Sequence, residues 1–515
     1  MSEDNKTMSA KNVDTDGIEQ RTTSTSEAVG EVRPKKHFSL LAALGVQFSV
    51  TGAPLTIGSY LSLAVGLGGS AGYFWGFLMV GFFQLVVCLA VCELASAIPH
   101  SSGPAHWVLV LAPPNYSRGL AYFTGWATTS AWILITAASY LYPAQLVLAL
   151  VSASHPEYVE KVWHVYLLYV AFSLFCLSFN LPYAFRSLKW LLKIAIFAYN
   201  GSALYMLIAL LVRAAPKQNA HDVFFTFINE SGWSSNGLVF FMGLLPAITT
   251  LAGFDNAIHL ADEMDNPGKQ LPQVLIGSLL LSYVVGLAMI IVYQFSNVDP
   301  VSLLTPVGGQ PIVQLVFNAV RSLPLTIIGV TLVVICFTIS AIATLLSVSR
   351  LYWSFSREGN LPLHNIMSRL SSSDQLPVNA LIWITGLVVA LGTIVLGSTI
   401  AMNALLGGAG ICITMSMITC FALVLGRGRE RLNPDRWFNL GSWGSVVYVI
   451  ALLWAAFTSI VFCLPLYLPV TAETMNYTSV IFVGVLALGA IYWAVGYSKR
   501  AVTSSGDEVR ATQVV

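Results

Sequence analysis

A carboxylate inside an apolar run is the first feature of this chain that could do chemistry. The stretch Pro246-Ala-Ile-Thr-Thr-Leu-Ala-Gly-Phe-Asp-Asn-Ala-Ile-His-Leu-Ala-Asp-Glu263 begins in the apolar run 237–251. It then sets Gly253, Asp255, Asn256 and His259 at bilayer depth. A charged side chain there costs roughly 2.5–3.5 kcal/mol to insert, and such residues mark substrate or ion paths. Gly253 is worse than Ala in a helix by about 1 kcal/mol, and Asp255 and Asn256 favour local bonds to backbone over regular helix. Two structures fit. One is a helix broken near Ala252–Asp255, with unwound backbone facing a cavity. The other is a continuous Gly-containing helix whose Asp is paired inside a bundle.

A second interruption favours the break. Gln47-Phe-Ser-Val-Thr-Gly-Ala-Pro-Leu-Thr-Ile-Gly58 lies in another apolar run. Gly52 loosens its helix, and Pro54 in a helix interior would cost about 3 kcal/mol. Proline is also a preferred opening residue of a new helix, so a second half-helix is expected to start at Pro54. A simple proline kink is the alternative. Paired Gly/Pro interruptions at corresponding positions of two halves point to a transporter binding site.

Two further titratable residues sit in apolar runs. Glu93 falls about two turns inside the membrane, either as a proton relay or as half of an ion pair at the inner face. Lys193 is followed by apolar residues; it either points into the bundle, where desolvation would let it trade a proton, or snorkels to the interface. Thr338, Ser340, Thr344, Ser347 and Ser349 either line a polar path or bond backbone carbonyls. Ser101, Ser102 and Gly103 form a flexible gate-like turn or merely a turn.

The elements that must position these residues follow from composition. The chain has 515 residues, is 56% hydrophobic and only 10% charged, with a mean hydropathy of +0.73. Soluble domains average about 25% charged residues. Apolar runs of about 20 residues succeed one another, which means an all-α integral membrane protein. Twelve spans are expected, at about 38–68, 72–99, 119–150, 163–182, 190–213, 237–262, 273–296, 325–355, 377–397, 400–425, 445–463 and 477–497. The breaks then fall in spans one and six, the spacing of two five-helix repeats. Net charge of +1 gives no electrostatic case for nucleic acid. The 7 cysteines lie in or at apolar runs and read as small apolar residues.

Residues 1–37 read as a disordered tail, 38–498 as the transmembrane domain and 499–515 as a second tail. An even span count puts both tails on one side. Only Lys161, Arg213, Lys217 and Arg321 of the 25 Lys and Arg fall on the opposite side. Excess positive charge marks the cytoplasm, so both termini are expected there. Asn229-Glu-Ser231 is then a glycosylation sequon on the outer side.

At these residues the chain resembles the amino acid–polyamine–organocation superfamily, and within it the fungal amino acid/choline transporter family. The resemblance is carried by Glu93-Leu-Ala-Ser-Ala-Ile-Pro and the following Ser-Gly, by Gly253-Phe-Asp with His259 and Asp262-Glu263, and by Ser349-Arg onward to Gly359-Asn-Leu-Pro362. His155-Pro-Glu-Tyr158 and Phe227-Ile-Asn-Glu-Ser-Gly-Trp233 are similar too. It implies inverted five-helix repeats plus two further helices, and secondary active uptake. Lys193 is similar to a lysine that, in some proton-coupled members, stands where sodium-coupled relatives bind an ion. One departure matters. Permeases of this kind often carry a Gly-Ser-Gly-like turn whose N–H groups hold a substrate carboxylate. Here the turn is Thr51-Gly-Ala-Pro54, and proline has no N–H.

The expected function is proton-coupled import of a small amino-nitrogen solute: an amino acid, 4-aminobutyrate or a choline-like cation. Its site is expected between Thr51, Gly52 and Ala53 on one break and Ala252, Gly253, Phe254 and Asp255 on the other. Asp255 would offset an ammonium charge. Phe254, with Trp132, Trp126 or Tyr140, would supply a cation–π face. Glu93 and Lys193 are the expected proton-coupling groups. No cofactor, metal or nucleic acid is expected. A nutrient sensor that keeps this fold is the alternative. An enzyme is not expected, since His259, Asp262 and Glu263 form the one acid–base cluster and fall at a helix end. The plasma membrane is the expected location, with the vacuolar membrane as the alternative.

Overall fold

The computed structural model describes residues 34–498 apart from 373 and 473. The expected tails therefore lie outside the described residues, except for 34–37. Among the described residues the chain is all-helical, with two isolated bridges, Phe38 to Met264 and Leu67 to Asn229.

Among the described residues, eleven helices are long and apolar enough to cross a membrane. The remaining expected span, the sixth, is broken. It runs as a short apolar helix, Asn236–Thr250, and then, after an interruption, as a 3-10 segment, Asn256–Glu263. Spans one to twelve thus stand where the hydropathy put them, with boundaries shifted by a few residues. Span three, for example, runs Pro114–Ser154, and span eight Leu323–Arg357. Span one holds one more interruption than expected: helices 40–51, 53–59 and 61–66 follow one another. A ten-residue helix between spans seven and eight, Pro311–Val320, was not anticipated. It is too short to cross a bilayer.

Span three runs along spans eight and ten, span two along spans seven and eleven, and span one lies against spans five and seven. Spans three, one and six therefore meet in the middle, where Trp132, Phe48 and Ala257 are fully buried. Span twelve is at the rim, with 6% of its apolar window buried. All seven cysteines are free, and six are buried.

Both described chain ends lie on one face. The His37 and Phe38 amides donate to the Glu263 carbonyl at 2.9 and 3.2 Å, and Arg118 donates to the Tyr497 carbonyl at 3.1 Å. This is called the ends face below, and its opposite the far face.

Candidate functional site

The first break is a single residue. The Gly52 amide closes the preceding helix on the Phe48 carbonyl at 2.8 Å. Gly52 then turns left-handed, with φ +46°, and a new helix starts at Ala53 with Pro54 in its first turn. A proline there removes an N–H that would have had no partner. A Cβ on Gly52 would come within 3.1 Å of the Tyr199 ring and 3.3 Å of the Ser49 carbonyl, so both conformation and space demand glycine.

The second break is longer. The helix of span six ends at Thr250, and Leu251 to Asp255 are unwound. Gly253 has φ +73°. Here a Cβ would meet Val50 at 3.4 Å and Trp132 at 3.6 Å, ordinary contact distances. The left-handed backbone, not crowding, selects glycine at this position.

Gln47 stitches the two breaks together. Its Nε2 donates to the Gly253 carbonyl at 2.8 Å, and its Oε1 accepts the Ala257 N–H at 2.7 Å. One fully buried amide thus satisfies a carbonyl and an N–H that the unwinding freed. Thr51 extends the link, with its Oγ1 3.1 Å from Ser282 Oγ on span seven. Sequence reasoning passed over Gln47. Its signal was visible: a lone amide in an apolar helix, one turn before the Gly-Ala-Pro.

Asp255 is 1% exposed and Phe254 6%. Trp132, fully buried, packs edge-on against His259 with ring centroids 5.6 Å apart. Asp255 Oδ2, Trp132 Nε1, both side-chain polar atoms of Asn256 and His259 Nε2 are buried and unpartnered. A cluster of buried groups short of hydrogen bonds is the polar surface a solute or water would satisfy.

The structure brings Thr51, Gly52, Ala53, Ala252, Gly253, Phe254, Asp255 and Trp132 to one place. Trp126 is elsewhere: its indole donates to the Val485 carbonyl on span twelve at 2.8 Å. Tyr140 packs instead against Tyr169, with centroids 5.9 Å apart. Of the span-eight hydroxyls, Thr338, Thr344 and Ser349 donate to Val334, Ser340 and Leu346 within the helix, while Ser347 Oγ is buried and unpartnered.

The two expected proton-coupling residues lie apart from the breaks. Glu93 is fully buried and ion-paired. Its Oε1 accepts Arg429 at 2.6 Å, Arg436 at 3.0 Å and the Leu440 amide at 3.1 Å. These donors come from the loop after span ten, which the sequence could not place beside span two. Lys193 does not enter the bundle, correcting that expectation. It is exposed, while Leu192 and Ala195 take the buried positions on its helix. Glu93 is buried where fixed partners meet its charge, and Lys193, with no such partner among the described residues, turns outward.

A cavity of about 840 Å³ lies at the far-face end of the breaks, lined among others by Ser59, Tyr60, Tyr142, Thr249, Gln310 and Phe462. Thr249 is about one turn from Gly253, and Ser59 about two turns from Gly52. Toward the ends face the chain is closed. Arg350 pairs with Glu263 at 2.9 Å, both nearly fully buried, and the turn 100–103 is wedged between spans six and eight.

The family model described as amino acid permease matches residues 38–486. A choline transporter of Saccharomyces cerevisiae is 30% identical over 467 residues, covering 90% of this chain and 82% of its own length. A swainsonine transporter of Arthroderma benhamiae is 28% identical, covering 92% of this chain and 93% of its own. An amino-acid permease of Arabidopsis thaliana is 26% identical, covering 89% and 91%.

Proposed function

The chain belongs to the amino acid permease family, whose matched relatives are transporters and not enzymes, and on that premise we propose its cargo and cycle. It carries a small cationic or zwitterionic amino-nitrogen solute by alternating access between the far face and the ends face. The observation behind this reading is Asp255. It is buried at the wider break with Oδ2 unpartnered, and among the described residues no Lys or Arg is paired with it. A buried carboxylate without a charged partner is costly, and a substrate ammonium supplies the missing charge. Phe254 and Trp132 add aromatic faces of the kind that hold quaternary ammonium groups. The first break offers little to an anion, since Pro54 contributes no N–H. A relative named choline transporter, and so named for a quaternary ammonium, fits the same chemistry.

Thr51, Gly52, Ala53, Ala252 and Gly253 supply the unwound backbone around the solute. Protons drive the cycle in this reading, because a proton can neutralise Asp255 when the solute is absent. Glu93 and Lys193 act outside the solute site, one as a clamp and one at the interface. Both termini are cytoplasmic, which follows from the charge asymmetry, and the far-face cavity then opens outward at the plasma membrane.

Uptake of labelled choline, 4-aminobutyrate and a panel of amino acids into transporter-deficient cells tests the cargo. Asp255→Asn at matched surface expression tests the site. Losing a charge-assisted contact of about 1.5–3 kcal/mol lowers apparent affinity roughly 10- to 150-fold. Unchanged affinity and rate would make Asp255 a structural carboxylate and end the cation reading. Uptake driven by an imposed sodium gradient at fixed pH, and not by a proton gradient, would end the proton reading alone.

A further inference from the structure

The turn His100-Ser-Ser-Gly103 after span two closes the ends face from both sides. Toward span six, His259 Nδ1 donates to the Ser101 carbonyl at 3.0 Å, and Ser101 Oγ accepts the Asp262 amide at 3.0 Å. Gly103, with φ +54°, passes so close that a Cβ would lie 3.3 Å from Ile258 and 3.5 Å from His259. Toward span eight, Ser102 Oγ donates to Glu358 Oε1 at 2.7 Å and lies 2.9 Å from Ser354 Oγ. Opening the path to the ends face requires this turn to leave one side or the other.

Glu358 is the unusual member. It sits just past the end of span eight, with 18% of its side chain exposed. Its hydrogen-bond donors are neutral: Ser102 on Oε1 and Asn360 Nδ2 on Oε2 at 3.0 Å. The nearest guanidinium, Arg357, lies 3.6 Å from Asp262 and 3.4 Å from His100 Nε2, so Asp262 shares its charge. His100 Nδ1 is 3.9 Å from Glu358 Oε1, and the His106 ring stacks on His100 at 3.9 Å. Burial, with Arg357 adding to it, depresses His100 to about 3, and burial with His100 beside it does the same to His106. Both imidazoles are therefore neutral, and Glu358 gains no cation from them. Burial pushes its carboxyl up to about 7, against the smaller opposing effects of Ser102 and Arg357.

His100, His106 and Glu358 also bring ligand atoms within 4.8 Å of one another, a spacing a metal ion could use. Both ring nitrogens of His100 are already engaged, however. Nδ1 accepts the Ser102 amide at 3.1 Å and Nε2 faces Arg357. The two rings lie 11° from parallel and do not converge on a point. The ligand this site suits is a proton.

We propose that Glu358 is a proton-binding site of the ends-face gate, protonated while the turn 100–103 is shut and ionised once it opens. Water reaches the carboxyl from the ends face, so the exchange does not depend on what drives uptake. The direction follows from linkage. The shut state has the raised carboxyl and holds the proton more tightly, so closure is favoured at low pH. That advantage is lost as pH rises from the ordinary 4.5 through about 7. Between about pH 6 and about pH 8 the gate equilibrium moves roughly tenfold toward open.

The test is hydrogen–deuterium exchange of segment 98–106 in the purified full-length protein, at about pH 6 and about pH 8, with wild type compared to Glu358→Gln at each pH. Gln mimics the neutral acid and removes the chemical pH dependence of exchange from the comparison. The expected result is weaker protection in wild type than in Glu358→Gln at both pH values, with the gap widening roughly tenfold from the lower to the higher. Ser102→Ala, which takes a donor from the ionised form, moves the transition to higher pH and serves if Glu358→Gln does not fold. A pH response unchanged by either substitution overturns the proposal. Failure of proton-driven uptake in wild type, with this response intact, overturns the coupling reading and leaves the gate site standing.

Discussion

Gln47→Leu puts the central stitch under direct test. Leucine is close to glutamine in size, so the substitution opens no large cavity and changes chiefly the hydrogen bonding. The Gly253 carbonyl and the Ala257 N–H lose partners at 2.8 and 2.7 Å in a region where Gln47 is fully buried. Each buried group left unsatisfied costs about 1–3 kcal/mol, so the two together destabilise the unwound segment by roughly 2–6 kcal/mol. The low end alone makes the ordered break about 30-fold less populated relative to its alternatives. Transport of the true substrate should therefore fall at least tenfold at matched surface expression, and thermal unfolding in detergent should shift downward. Gln47→Glu separates the two bonds. It keeps an acceptor for Ala257 and sets an oxygen against the Gly253 carbonyl, and on acidification a carboxylic proton can again donate there. Its defect should be partly relieved at low pH, while that of Gln47→Leu should not. If Gln47→Leu transports within about twofold of wild type and unfolds at the same temperature, the stitch is incidental and the reasoning fails.

Two other outcomes follow from where charges sit. Glu93→Gln removes the negative charge that pairs with Arg429 and Arg436 and leaves a neutral oxygen for them and the Leu440 amide. Breaking a buried pair costs about 3–5 kcal/mol, so the variant should lose surface expression and unfold earlier; normal stability with altered proton dependence would restore Glu93 as a relay. Lys193→Met should leave uptake and its pH profile within about twofold of wild type, because the side chain is exposed; a lost pH dependence would show that Lys193 turns inward during the cycle.

Much of this molecule is legible along the chain because a bilayer is a severe solvent. Backbone groups inside it must be satisfied within their own segment, so apolar runs become helices and the span count follows from composition. The same severity makes exceptions readable. Gly52 with Pro54, and Gly253 with Asp255, are poor helix residues in places where only helix is tolerated, and both breaks formed there. Local chemistry was enough, because a left-handed glycine or a proline at a helix start is decided by its own backbone.

Partnership was not local. Glu93 stood between a relay and an ion pair because its arginines lie more than 330 positions away in sequence, on a loop that folding alone brings beside span two. Lys193 was ambiguous because about half a turn of rotation about the helix axis separates bundle from lipid, and packing against spans one and eight sets that rotation. Gln47 stood out as a lone amide in an apolar helix, but its partners, Gly253 and Ala257, were fixed only by folding. Glu358 gave no signal, since it follows a helix end where charged residues are ordinary. It became a buried carboxylate only when a turn from another part of the chain closed over it. The order of residues determined which groups the membrane would isolate. Tertiary contact decided which of them were given a partner, and the groups left without a charged one, Asp255 and Glu358, are those proposed to take a solute and a proton.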